Sequence, residues 1–292
     1  MSMTQILTTN ADSSVYDLSS VSKSIGRLAI RALYGELSLY PKPGLVSPID
    51  AGAHADMDIT TFMRSLFSLR SYFPRIAEAG ARGEEFHALR ALALTAEKRM
   101  MRATGSVNTH RGAIFNLGLL SAAAGYCRSN GLAATAEAVC STVTNLWGSA
   151  ILASALGAPV SNGLRVRALY GGTGAREAAA TGFPVVLEVA LPVFRSMLAN
   201  GSTREDASLH ALFSVMAVLQ DTNILHRGGP AGLAFVQDAA RGFLSHGGIY
   251  AKGAHEYAIE LHKEFSRRRL SPGGAADMLA CTTFLFDIEA SQ

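Results

Sequence analysis

ITTFMRSLFSLRSYFPRI, residues 59–76, settles the class of fold. Phe62, Leu66, Leu69, Phe73 and Ile76 follow one another by four, three, four and three positions, a stripe along one face of an amphipathic helix. The same period returns at Leu89, Leu92, Ala96 and Met100, at Leu209, Leu212, Met216 and Leu219, and at Met278, Cys281, Leu285 and Ile288. Ile25, Leu28, Ala32 and Leu39 mark a first helix that should stop at Pro41. Alternation of strand length is almost absent. Val185–Val189 is the one stretch that reads as a strand, but Pro184 suits a first helical position and the pattern continues to Met197, which favours a helix.

The chain has 292 residues, enough for one large helical domain or two modest ones. No linker, repeat or low-complexity tract divides it. We therefore expect a single all-α domain over residues 21–292, of about ten or more helices, behind a polar, mobile tail over residues 1–20. The sequence is 49% hydrophobic, 17% charged and carries a net charge of only +3. That balance excludes a nucleic-acid-binding stripe and leaves room for a local anion site. Cys127, Cys140 and Cys281 lack metal-ligand spacing, as expected of reduced thiols in a cytoplasmic protein. No secretory signal is visible at the N-terminus. The most apolar run, Leu146–Val160, is too short to span a bilayer and reads as a buried helix ending at a turn, so no membrane association is expected.

Against this Ala/Leu-rich background stand four polar clusters with a chemistry that a helical core does not need. Lys42-Pro43-Gly44 leads into His54-Ala55-Asp56-Met57-Asp58. Asp58 stands where an N-cap belongs, before Ile59. His54 and Asp56 precede it, so three potential ligands share one short segment, and paired carboxylates suit Mg²⁺ with substrate phosphates in its shell. In Asn108-Thr109-His110-Arg111-Gly112, Thr109 suits a cap and Asn108 a turn. Positive charge in a first helical turn opposes the helix dipole, and makes sense where an anion binds the free N–H groups.

Asp221-Thr222-Asn223 reads either as a polar turn closing a helix or as part of a site, with Arg227-Gly228-Gly229 adding a cation beside backbone that a ligand can approach. Ser271-Pro272 is a cap with a first-position proline. Gly273 and Gly274 cost helix stability and would open a helix N-terminus to a ligand, with Asp277 one turn further in. Glu97 lies near the buried face of its helix. Gly171-Gly172-Thr173-Gly174 is glycine-rich but not a P-loop. His87, His210 and His262 fit ordinary helix positions and receive no role.

In this order the clusters resemble the triphosphoribosyl-dephospho-coenzyme A synthase family. The resemblance runs from about Leu33 to Leu285 and rests on Pro41–Val46, Gly52–His54 with Asp56–Asp58, Val107–His110 with Gly112, Asp221–Asn223, Arg227–Gly229, and Ser271–Gly274 with Ala276-Asp277. Arg111 stands where the family often has Lys, and Ser47 where it often has Asp. The resemblance implies an all-α fold and a ribosyl transfer in which ATP loses adenine and its triphosphoribosyl unit joins the 2′-hydroxyl of 3′-dephospho-CoA. The product would serve an acyl carrier protein subunit. Asp56–Asp58 followed by Phe62–Phe67 is more similar to the malonate decarboxylase branch than to the citrate lyase branch.

The expected roles follow. Lys42, Gly44, Asn108, Thr109, His110, Arg111, Gly112, Arg227, Gly228, Gly229, Gly273 and Gly274 form the nucleotide and phosphate wall. His54, Asp56 and Asp58 hold Mg²⁺. Asp221, Asp277 and, more weakly, Glu97 supply the carboxylate for acid–base work or for stabilising an oxocarbenium ion. Two other readings stay open: a metal-dependent nucleotide phosphohydrolase and a non-catalytic nucleotide-binding protein. A homodimer is one candidate assembly.

Overall fold

A computed structural model describes residues 11–154, 166, 169–170 and 174–291. Twelve α-helices run through the described residues, and no strand is present among them. They are α1 (Ala11–Ser38), α2 (Ile59–Leu69), α3 (Tyr72–Ala81), α4 (Phe86–Ala103), α5 (Arg111–Ser129) and α6 (Ala136–Ala153). After these come α7 (Ala175–Ala180), α8 (Leu191–Ala199), α9 (Arg204–Val218), α10 (Thr222–Ser245), α11 (Ala254–Arg267) and α12 (Gly273–Ala290). Helix α1 already begins at Ala11, so the second half of the segment read as a tail is helical.

The stripe at 62–76 is divided between two helices. Leu69 closes α2, and α3 restarts at Tyr72. Pro74 explains the break: in an uninterrupted helix it would leave the Arg70 carbonyl without its donor, whereas in the first turn of α3 its missing N–H costs nothing. Val185–Val189 is helical, as the sequence favours. The helix starts at Pro184, passes through a π-helical turn at Val186–Ala190 and continues as α8. Residues 155–160 of the apolar run, and Gly171–Thr173, lie outside the described residues.

Helices α5, α9 and α12 are buried on nearly every side, as helices apolar all round must be. α5 is the axis. α3 lies along it, with α1, α4, α6 and α12 also against it. Small residues permit this closeness. A Cβ at Gly80 would run into the Ala122 carbonyl of α5, and one at Gly125 into the Ala77 carbonyl of α3. All three cysteines are free and buried, and burial pushes the Cys140 thiol up to about 12. No helix among the described residues is long and apolar enough to cross a membrane.

Because the α3–α5 contact is backbone against backbone, relief requires the helices to part. Gly80→Ala should therefore destabilise the fold by about 1–3 kcal/mol, the usual range for an overpacked core. Urea unfolding measures this, and an unchanged midpoint would refute the close-packed contact.

Candidate active site

The four clusters meet at one end of the bundle, where the N-termini of α5, α10 and α12 come together. Asp221 makes this junction. Its Oδ1 accepts from the N–H groups of Asn223 (2.8 Å) and Ile224 (3.4 Å), capping α10. Its Oδ2 accepts from Ala275 N–H (3.0 Å), capping α12 from 54 residues away. Asp221 thus starts a helix; the alternative reading of this segment as the end of the preceding one is excluded. With both oxygens committed and the side chain buried, it is a structural cap and not a free base.

The glycines after Ser271-Pro272 serve this junction. A Cβ on Gly274 would lie 2.9 Å from Asp221 Oδ2, and one on Gly273 would lie 3.0 Å from Asn223 Nδ2. The space expected to admit a ligand is filled by these two side chains. Ser271 does not cap α12 either. Its Oγ is 2.9 Å from His54 Nε2, and Asp221 does the capping from a distance.

α12 then carries Asp277 onto the first turn of α5. A Cβ at Gly112 would overlap Asp277 Oδ2, so glycine at 112 makes room for the carboxyl. Burial raises the Asp277 carboxyl well above the usual range, and the negative charges of Glu36 and Asp221 raise it further. Beside it, His110 is buried with Nδ1 2.6 Å from Ser65 Oγ and its ring edge-on to Phe62. Burial, and secondarily the charge of Lys42, lowers its pKa to about 3. His110 is therefore a neutral imidazole, not the expected cation.

Five buried side-chain polar atoms lack any partner among the described residues, and three of them cluster here: Thr109 Oγ1, His110 Nε2 and Asn116 Oδ1. Each such orphan costs roughly 1–3 kcal/mol. They fall together at the start of α5, whose Gly112 meets Asp277, and unsatisfied polar atoms gathered in this way call for a partner.

The cations sit differently from expectation. Lys42 is buried, its Nζ donating to the Glu36 carbonyl (2.6 Å) and to Glu36 Oε1 (2.7 Å). It belongs to the inner wall and does not face an external phosphate directly. Arg111 pairs at the surface with Glu97 (Nε to Oε1, 2.6 Å), which removes Glu97 from the catalytic set. Asn108 Oδ1 accepts from Arg111 N–H (3.2 Å) and caps α5. Arg227 is exposed and pairs with no carboxylate among the described residues. It donates to His54 Nδ1 (3.1 Å) and, at 3.5 Å, to the Ala53 and Arg269 carbonyls.

The remaining glycines also answer to packing. Gly44 has φ +69°, and a Cβ there would strike the Leu270 carbonyl. A Cβ on Gly228 would meet Leu270 Cδ2 at 2.6 Å. Gly229 adopts φ 60°, ψ −164° before Pro230 and kinks α10.

His54, Asp56 and Asp58 are not gathered into one ligand set, and no cluster of three such ligands occurs among the described residues. Asp58 Oδ1 accepts from the N–H and hydroxyl of Thr61, both at 2.8 Å, to cap α2. His54 has both ring nitrogens engaged. A guanidinium only donates, so Nδ1 must accept, which fixes a neutral ring and leaves no lone pair for a metal. Burial and Arg227 lower its pKa in agreement. Asp56 alone remains exposed, 3.6 Å from His54 Nδ1.

Two residues that matter here escaped the sequence reading. Glu36 is a charged residue four positions after Ala32 on the buried face of α1, a polar interruption that signals a partner. Ser65, wholly buried between Phe62 and Leu66, gives no comparable signal.

The family model described as CitG: ATP:dephospho-CoA triphosphoribosyl transferase matches residues 22–292. A relative from Acinetobacter calcoaceticus, named probable 2-(5''-triphosphoribosyl)-3'-dephosphocoenzyme-A synthase, is 41% identical over 273 residues, covering 94% of each chain. A relative of the same name from Vibrio cholerae serotype O1 (strain M66-2) is 36% identical over 279 residues, covering 92% of this chain and 89% of its own. No solved structure matches the chain.

The raised Asp277 carboxyl sets a sign for stability. The unfolded chain loses this proton near 3.8, while the folded protein keeps it to higher pH. Between those points the folded state binds more protons, so stability falls as pH rises. Asp277→Asn should remove that fall and make the protein more stable near neutrality than the unmodified chain. Thermal unfolding followed as pH is raised from the acid side to neutrality checks it; parallel profiles would contradict it.

Proposed function

We propose, from the premise that the chain belongs to the CitG family of ATP:dephospho-CoA triphosphoribosyl transferases, that the junction of α5 and α12 is where the ribosyl unit changes hands. The observation that carries this reading is the row of unpartnered polar atoms at Thr109, His110 and Asn116 beside the Asp277 carboxyl. The reaction breaks the bond between the ATP ribose and adenine and forms a bond from that ribose to the 2′-hydroxyl of 3′-dephospho-CoA.

Asp277 suits the proton balance. The acceptor hydroxyl must lose one proton and adenine must gain one. A carboxyl held in its protonated form by burial gives its proton to adenine as the glycosidic bond opens. The carboxylate left behind stabilises the positive ribose and takes the proton of the incoming hydroxyl. The group ends as it began. His110, neutral and with a free Nε2, offers a hydrogen bond to substrate, and Ser65 holds its ring in place.

The triphosphate is received by the N-terminus of α5 and by Arg227, with Arg111 at the rim. Mg²⁺ entering with ATP prefers carboxylate and phosphate oxygens and needs only one or two protein ligands. The exposed Asp56 fits that requirement and would hold it; the ion's chemistry is to neutralise phosphate charge. Asp56–Asp58 with Phe62–Phe67 supports the malonate decarboxylase acyl carrier subunit as destination over the citrate lyase one. Buried free thiols support a cytoplasmic setting.

Incubation with ATP, Mg²⁺ and 3′-dephospho-CoA should release adenine in step with a triphosphoribosylated product. Release of phosphate or ADP would move the protein to the phosphohydrolase reading, and ATP binding without turnover to the sensor reading. Asp277→Asn should lower kcat by about 10²–10⁴-fold, the span of a lost acid–base group. A folded Asp277→Asn variant with ordinary kcat would remove Asp277 from the reaction. Asp56→Asn should raise the Mg²⁺ concentration needed for half-maximal rate; an unchanged requirement would place the ion elsewhere.

A further inference from the structure

His262 stands outside every cluster above, yet it is the most completely bonded histidine in the site's neighbourhood. It lies in α11, 2% exposed. Its Nδ1 is 2.6 Å from the Lys42 carbonyl oxygen, and its Nε2 is 2.9 and 3.0 Å from the two carboxylate oxygens of Asp50. A carbonyl oxygen only accepts, and so does an ionised carboxylate. Both ring nitrogens must therefore donate, and the ring that satisfies this arrangement is an imidazolium. A neutral ring would set one lone pair against another in a buried place, an expensive arrangement. The Asp50 side chain keeps 45% of its surface in solvent, so the pair stands at the edge of the bundle and not within the core. The ring of Tyr40 packs edge-on against His262, and the Lys42–Glu36 pair lies at the other end of the bonded loop.

The loop from Lys42 to His54 is closed on itself. Ser47 N–H donates to the Asp50 carbonyl (3.0 Å), Gly52 N–H to Asp50 Oδ1 (2.8 Å), and Ala53 N–H to the Gly44 carbonyl (3.0 Å). His262 ties this loop to a helix. Its two ends serve the site directly: Lys42 reaches inward to Glu36, and His54 reaches Ser271 and Arg227. The Lys42 charge helps to keep His110 neutral, and the Glu36 charge helps to keep Asp277 protonated. Displacing the loop would therefore disturb both groups without touching either.

We infer that His262, clamped as an imidazolium between Asp50 and the Lys42 main chain, is a positioning residue that sets the Lys42–Glu36 pair behind the reacting groups. This rests on the ribosyl-transfer reading above. The clamp itself is independent of that reading, so each can fail separately.

Nitrogen NMR of the full-length labelled protein at pH 7 tests the clamp whether or not ATP turns over. Both His262 ring nitrogens should carry protons, and Asp50→Asn should leave one of them bare. A neutral His262 in the unmodified protein overturns the clamp. Adenine release tests the positioning role. Asp50→Asn, at a half-exposed position that folding should tolerate, and His262→Phe, where circular dichroism shows it folded, should each lose about 10- to 100-fold in kcat/KM. Combined with Lys42→Met, neither should lose more than Lys42→Met alone, since both act through Lys42. Unchanged kcat/KM in Asp50→Asn, or losses that multiply in the double variants, overturns the positioning role. An unmodified protein that releases no adenine defeats the ribosyl-transfer reading, and the nitrogen spectra still decide the clamp.

Discussion

One carboxylate holds the working end of this bundle together. Asp221 gives one oxygen to the first turn of α10 and the other to the first turn of α12, two helices whose starts are far apart in the chain. Free N–H groups at a helix start need acceptors, and two such starts brought face to face would repel through their dipoles. A single buried anion between them resolves both problems. Everything at the site depends on where α12 begins, because its next turn sets Asp277 over Gly112. Glycine at 273 and 274 is the steric condition for that arrangement, and glycine at 112 is the condition for its outcome.

The same end of the molecule contains the features that oppose stability. Carboxyls at 221 and 277 lie near one another and are both raised in pKa by desolvation, with the charge of Glu36 also acting on Asp277, and the polar atoms of Thr109, His110 and Asn116 have no partner among the described residues. Three of the five unpartnered buried atoms among the described residues gather at this end, which is where the transfer is proposed to occur. The two aspartates differ in their surroundings: Asp221 spends both oxygens on helix N–H groups, whereas desolvation raises the Asp277 carboxyl well above the usual range. The one is a helix cap, and the other is the carboxyl given a chemical part in the proposed transfer.

Much of this was legible in the sequence. Helical periodicity identified the elements, and the ordered clusters located the residues that converge. The roles were less legible because capping and ligand binding draw on the same side chains. Asp58, Asn108 and Asp221 all cap helices, and only coordinates could show which oxygens were spent. Gly273 and Gly274 illustrate the same ambiguity, since space for a ligand and space for a neighbouring carboxylate have one sequence signature. Burial changes the part that charge plays: desolvation leaves His110 neutral, and Lys42 turns inward to the Glu36 carboxylate and carbonyl. Ser65 and His262 act through contacts between distant segments, which no local pattern encodes, whereas Glu36 is marked by its place on the buried face of α1.

The pairing of the cations bears on how an anion would be received. Lys42 is neutralised by Glu36 and Arg111 by Glu97, so two of the four cations expected to attract a triphosphate already have counter-ions inside the protein, and a third, His110, is neutral. A site built that way cannot depend on unpaired charge to hold its substrate in place. Attraction must come from the α5 N-terminus, from Arg227, whose partners are neutral, and from whatever cation the triphosphate carries with it. An electrically balanced wall has a compensating merit for glycosidic cleavage. A surplus of fixed positive charge near the ribose would oppose the oxocarbenium ion, whereas a wall of neutral imidazole, paired lysine and a buried carboxyl does not. In the proposed transfer, strong positive charge stays at the phosphate end and the reacting carbon lies beside Asp277, the carboxyl suited to stabilise it.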